Sequence, residues 1–338
     1  MVLLVIFGAL ASRSGIGRPE PSASPAPSDR PSFRALPPET TPGPTPCSTL
    51  QARIDAAPAG SVLDLSGCAY TAGATIDKML TLRGATIRPP GGTPALLVTA
   101  DDVTIHRVHL LGPDGRVYEN DTTGISVEAS PSAPVRRLQI VESEVRDFSN
   151  CIRIRNVELP LIAGNTIEDC VYAGVMVLSA RGGIVEDNSI RGIGVQGAEA
   201  NDNNAYGVAI SNQFAGEPAS TDVMVQRNNV EDVPTWHALD THGGRRISFV
   251  DNTISGASRA LFITAGVNGE RPTGIRISAN RMVAPTDPTL NDWAVTTFNG
   301  VDVIVTGNRA MGWPDGQFFN DYKGLSTDLT ILDNVVTP

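Results

Sequence analysis

No basic cluster runs through this sequence, and charge of either sign is scarce. Asp, Glu, Lys and Arg make up 18% of the 338 residues, with a formal net charge of −10. That balance speaks against a nucleic-acid partner, whose phosphates require clustered Lys and Arg. Aromatics are also few, at 5%. The sole apolar run near a terminus, Met1–Ala11 (MVLLVIFGALA), is too short to cross a bilayer as a helix. No CxxC pair marks a metal site, and no GxSxG, P-loop or dinucleotide fingerprint stands in a fitting context. What is abundant is glycine, with 33 residues. Low charge and frequent turns suit a long β protein built of small coils.

The chain divides by composition. Residues 1–16 resemble the apolar core of a secretory signal without its basic leader. Residues 17–46, rich in Pro, Ser, Thr and Ala, cannot bury apolar surface and read as an extended extracellular linker. Folded structure is expected over 47–338, its first part, 47–94, acting as an N-terminal cap. Ser48 is placed to cap a short helix with Leu50, Ile54 and Ala57 on one face. Four cysteines fall into two local pairs. In a secreted or cell-surface protein this predicts a Cys47–Cys68 disulfide, with Cys151 and Cys170 as small buried apolar residues.

From about residue 95 the chain repeats. An apolar residue is followed three positions later by Asn, and then by a second apolar residue. Examples are Ile162…Asn165…Ile167, Val185…Asn188…Ile190, Val225…Asn228…Val230 and Phe249…Asn252…Ile254. The pattern continues through Asn280, Asn308 and Asn334, and Ser143 and Val108 hold the equivalent place earlier. Successive Asn residues lie 23, 40, 24, 28, 28 and 26 positions apart. Periods of this size denote a solenoid, and the strand-like alternation makes it a β solenoid. Coils stacked ~4.8 Å apart would align each Asn with its neighbours in a hydrogen-bonded column. The repeat resembles the right-handed parallel β-helix of the pectin-lyase-like superfamily over roughly residues 95 to 338. The fold class expected is therefore all-β, a right-handed parallel β-helix with a short capping helix. That fold hosts lyases, hydrolases, epimerases, esterases, phage tailspikes and adhesins, so function must come from the site.

A second repeated strand carries the candidate chemistry. Aligning Gly207-Val208-Ala209-Ile210, Ala238-Leu239-Asp240-Thr241 and Ala260-Leu261-Phe262-Ile263 turns the second and fourth positions inward. Asp240 and His242 then face outward. The same alignment stacks Tyr206, His237, Arg259 and Trp293 in one column, although strict alternation puts His237 on the opposite face unless the chain bends at Ala238. Trp236 and Trp293 are candidate sugar platforms. Loops at 191–205 and 213–221 flank the groove and bring Glu199 and Asp202. Arg153 and Arg155 form a second outward pair suited to an acidic sugar.

The run His237-Ala-Leu-Asp240-Thr-His242 resembles the Tyr-Gly-Phe-Asp-Pro-His stretch of β-helical mannuronan C5-epimerases. Asp240 and His242 match by spacing. His237 replaces the Tyr, Thr241 replaces the Pro, and no Lys matches the one that family carries in a neighbouring coil, Arg259 being the nearest cation. The resemblance implies a lyase or epimerase acting on a polysaccharide. His242 would be the base, Tyr206 a proton donor, Asp240 an orienting group, and Arg259 or a bound cation such as Ca2+ the enolate stabiliser. The sequence itself requires no cofactor. Two other classes stay open: a glycoside hydrolase using Asp240 and a second acid such as Asp202, and a non-catalytic glycan-binding or tailspike-like module. A His237/Asp240/His242 metal site needs the same bend at Ala238.

Overall fold

Residues that alternate inward and outward, interrupted every few positions by turns, make short strands that must stack on one another to bury their apolar edge. The computed structural model describes residues 47–113, 122–194, 204–287, 290, 292–314 and 316–337, and within them it has this architecture throughout. The apolar segment 1–16, the linker 17–46, Glu199 and Asp202 lie outside the described residues. All strand pairs in the named ladders are parallel, and the chain winds as a right-handed parallel β-helix. One face is an eleven-stranded ladder running from Val62–Asp64 to Thr327–Leu332. The second face follows it after a sharp corner, as in Thr166–Glu168 and Ser189–Arg191, and the third carries strands such as Ala173–Leu178 and Tyr206–Ser211.

The corner between the first two faces is where the Asn repeat stands. Asn165 Nδ2 donates to Asn188 Oδ1 at 2.9 Å, Asn188 to Asn228 at 2.9 Å, Asn228 to Asn252 at 3.0 Å, and Asn252 to Asn280 at 3.0 Å. Asn308 and Asn334 continue the row. Each Oδ1 also accepts the backbone N–H of the preceding Asn, so the side chains satisfy the corner backbone in a place that water does not reach. Ser143 extends the column upward: its N–H donates to Asn165 and its Oγ accepts from Val108. The residue before each column member has positive φ, including Glu142 at 49°, Asp187 at 55°, Arg227 at 53°, Asp251 at 55° and Ala279 at 56°. A left-handed residue followed by an amide-bearing one is thus the recurring corner, and the left-handed half of it has no single-residue signature.

Inside, stacked Ile, Leu and Val from all three faces form one continuous apolar column. A helix, Leu50–Ala56, covers its N-terminal end by burying Leu50 and Ile54. Its cap is Thr49, whose Oγ1 accepts from Ala52 N at 3.3 Å, and not Ser48. The Cys47–Cys68 disulfide ties down the chain just before this helix. Cys151 and Cys170 are not free apolar residues but form a second disulfide. Cys151 stands on the third face, and Cys170 on the approach to that face one coil later. Stacking brings their Cα atoms to 5.8 Å across a sequence separation of 19. Two disulfides are compatible with an extracellular protein. Among the described residues no helix is long and apolar enough to cross a membrane.

Candidate functional site

Two strands exceed the rest in length. Asn229–His242 and Thr253–Thr264 run through the second and third faces without a break. Their pairing shifts register between Val233 and His237. In the middle coils of the third face the ladder also skips one small residue, at Gly124, Cys151, Gly174, Gly207, Ala238 and Ala260. Ala238 is the bend that places His237 and Asp240 together outside the apolar core. His237 Nδ1 lies 2.5 Å from Asp240 Oδ2. Strict alternation, which sent His237 to the opposite face, fails at that residue.

Asp240 does not stand on an open surface. It points away from the apolar core, yet it is 0% exposed, because Tyr206, His237, Phe262 and His242 close around it. Its second oxygen, Oδ1, is 2.9 Å from His242 Nε2, in ionic contact without an aligned hydrogen bond. One carboxylate is thus held between two imidazoles. His237 is wedged between Trp236, with ring centroids 4.6 Å apart, and Phe262, at 4.1 Å, both near parallel. Its Nε2 lies 3.2 Å from the Arg259 guanidinium. Arginine has only donors, so His237 Nε2 must accept and Nδ1–H must donate to Asp240. Its tautomer is fixed from both sides.

The electrostatics follow from this enclosure. Burial dominates at His237, outweighing the pull of Asp240 and lowering its pKa to about 4, so the ring is neutral. Burial would raise Asp240, but the imidazoles of His242 and His237 together outweigh it and hold the carboxyl at about 2. Burial would lower His242, but the charge of Asp240 overcomes it and the imidazole is raised above its ordinary value. Tyr206 is pushed well above the ordinary phenol range, first by burial, then by the charge of Asp240. Of His237, Asp240 and His242, only His242 reaches solvent, its side chain being 29% exposed against 0% for the other two. Thr241, between the two outer residues, turns inward and donates to Ile210 O at 2.8 Å.

The column expected from the repeat is present: Tyr206 pairs with His237, and His237 with Arg259. Trp293 is half-buried one coil on, two residues before Val295, the partner of Leu261. Arg259 is ion-paired with Asp292 and lies 4.9 Å from the Trp236 ring centroid. Trp236 has one neighbour in His237 and another in Arg259. Arg153 and Arg155 are not a free pair. Both bind Glu128, Arg153 also meets Gln213, and Arg155 meets Glu217 at 3.2 Å beneath Phe214. The loop 213–221 folds over them.

Three contributors were not singled out from the sequence. Phe262 was aligned beside Asp240 but given no role. Tyr172, edge-on to Tyr206 at 5.4 Å, directly precedes the repeat position of Tyr206. Asp292 lies in an irregular segment with no periodic signal. Among the described residues no cluster of three or more His, Cys, Asp or Glu has the geometry to hold a metal ion.

A family model described as right handed beta helix region matches residues 74–220. No curated protein matches the sequence. Among solved structures, DFA-IIIase from Arthrobacter chlorophenolicus A6 in complex with GF2 is similar, with TM-score 0.61 and 15% identity over 84% of this chain and 81% of that one. The same enzyme without its lid gives TM-score 0.59 and 13% identity, over 81% and 78%. The enzymatically active domain of bacteriophage CBA120 tailspike protein 2 gives 0.54 and 13% identity, over 76% of this chain and 44% of that one. At these identities the likeness establishes the fold.

Proposed function

We propose that this chain is a secreted carbohydrate-active β-helix protein that removes the proton beside a uronate carboxylate, as a polysaccharide lyase or a C5-epimerase. The observation that carries the reading is the Asp240 carboxylate closed between two imidazoles, with His242 alone opening to solvent. An ionised Asp against His242 makes that imidazole a stronger base than a free one. In its neutral form His242 takes the C5 proton, and the C–H electron pair passes into the carboxylate as an enolate. Arg259, at the edge of the groove, supplies positive charge. From the enolate two outcomes balance. The pair forms a C4–C5 double bond while the C4–O bond breaks and Tyr206 protonates the leaving oxygen, or a proton returns to C5 on the opposite face. Tyr206, held protonated by its surroundings, lies with its ring 6.2 Å from that of His242. The resemblance to the epimerase stretch at Asp240 and His242 agrees with these roles.

Burial of Asp240 counts against the hydrolase reading, since a glycosidase carboxylate must touch the sugar or its water. A polysaccharide panel tests the proposal. The expected result is absorbance from unsaturated uronates, or deuterium entering C5 in heavy water. His242→Ala should lower turnover by about 10²-fold or more, with the fold retained. New reducing ends with neither signal, or full activity in His242→Ala, would overturn it.

A further inference from the structure

We propose that a cleft beyond the C-terminal end of the His242 strand is a binding subsite for a negatively charged sugar unit. The inference rests on the reading of the protein as one that takes an anionic polysaccharide, but it draws on different residues. The cleft has a volume of about 350 Å³, with Pro131, Pro134 and Pro218 in its lining. It lies at the turn following the third face, where Glu158, Arg181, Thr221 and Arg245 pair in successive coils. Gly243 makes the approach possible. With φ +67° and its Cβ position 2.9 Å from the Gly266 backbone, only glycine fits, and the chain turns there from His242 toward Arg245.

Charge and hydrogen bonding in the cleft point to the ligand. Arg181 and Arg245 line it, and neither has a salt-bridge partner within 4 Å among the described residues. Asp222, which feels the charge of Arg181, is held by two hydrogen bonds from Arg246. Of the two acids in the lining, Glu158 is paired with Arg136 at 2.9 Å, while Glu270 accepts from the neutral amide of Asn268 at 2.7 Å and keeps its charge. Two lining residues, Asn156 and Ser179, each carry a buried polar atom without a hydrogen-bond partner in the protein, Oδ1 and Oγ, lying beneath the cleft surface. Those residues are only 3% and 7% exposed. An orphaned buried polar atom is costly, and a site that binds is a common reason for one. Two guanidiniums without an ion pair among the described residues suit a carboxylate or sulfate. Proline faces suit the C–H side of a pyranose ring. Arginines beside prolines fit an anionic sugar unit better than a bare anion, for which the prolines have no use.

The link to the groove is structural. Asn212, which follows the Ser211 at the end of the neighbouring strand, donates to Glu270 on the cleft wall at 3.4 Å. Arg245, in the cleft lining, stands three residues after His242, at most ~11 Å along the chain.

The experiment measures calorimetric binding of a trimeric oligouronate, a sulfated trisaccharide and a neutral trisaccharide to the wild-type chain and to Arg181→Ala/Arg245→Ala. His242→Ala is assayed for turnover in parallel. Both arginines are exposed, so the double variant should keep its denaturation midpoint. Binding of either anionic sugar to wild type, weakened about tenfold or more in the double variant, with the neutral sugar bound no better than in that variant, supports the subsite, and the tighter of the two anions names the charge it takes. Unchanged affinity in the double variant, or no anionic binding to wild type, overturns it. The reading of His242 fails separately, if His242→Ala keeps full turnover while the double variant loses affinity.

Discussion

Replacing Asn252 by Leu removes one amide from the middle of the corner column. Four hydrogen bonds disappear with it. Asn252 Oδ1 accepts from Asn228 N and Asn228 Nδ2, each at 3.0 Å, and its Nδ2 donates to Val225 O and Asn280 Oδ1, each at 3.0 Å. The backbone N–H of Asn252 keeps Asn280 Oδ1. The decisive loss is the Asn228 N–H, which is left without an acceptor where Asn228 and Asn252 are each 1% exposed. A buried orphaned donor costs ~1–3 kcal/mol, and each of the other bonds contributes ~1 kcal/mol net, partly offset by the apolar volume of Leu. We expect a loss of about 3 kcal/mol. Asn334→Leu provides the contrast, because Asn334 is half-buried and water can replace its bonds; its loss should be about 1 kcal/mol. The assay is chemical denaturation followed by far-UV circular dichroism, with the two midpoints compared at unchanged slope. Equal and small losses for Asn252→Leu and Asn334→Leu would refute the reasoning, since burial would then not be what gives the column its value.

Two further outcomes follow from the described geometry. His237, lowered from 6.5 to about 4 in the folded state, takes up its proton later than in the unfolded chain. Stability should therefore fall as pH drops from 6.5 to 4, by on the order of 3 kcal/mol at ~1.4 kcal/mol per tenfold change in proton affinity. His242, raised when folded, acts in the opposite sense: its contribution is full below 6.5 and is lost as pH rises through the folded value. His237→Gln should flatten the acid limb of a stability–pH curve, and an unchanged limb would remove His237 as its cause. Cys151→Ser should lower stability by about 3 kcal/mol, as expected for a bridge closing a loop of this separation, and a denaturation midpoint insensitive to reductant in the wild type would contradict that.

Most of the architecture was legible because it repeats. Asn at intervals of one coil marked the corner, and alternation marked the strands and the pairing of Tyr206, His237 and Arg259. The site was legible in its members and not in its arrangement. Alternation says which side of a strand Asp240 takes; it does not say that Phe262 and Tyr206 from adjacent coils will close over it. The bend at Ala238 depends on a small residue shared with Gly207 and Ala260, a signal visible only once the coils are aligned. Arg153 and Arg155 looked free because Glu128 is one coil away and Glu217 comes from a loop. Cys47 and Cys68 pair as expected, but Cys151 and Cys170 misled for a related reason. A separation of 19 is the same whether or not stacking closes it.

The corner column also has a direction. Each Asn from Asn165 to Asn308 donates through Nδ2 toward the next coil and accepts through Oδ1 from the one before. The amide dipoles therefore run head to tail, as in a polarised wire, and each strengthens the next. No single amide can rotate to exchange its oxygen and nitrogen without setting oxygen against oxygen on one side and nitrogen against nitrogen on the other. The row is ordered as a whole or not at all. Aspartate, the same size as asparagine but able only to accept when ionised, would break it more severely than a larger change in shape elsewhere on the helix. Residues added between columns, as in the coil where neighbouring Asn lie 40 apart, leave the order of the wire untouched.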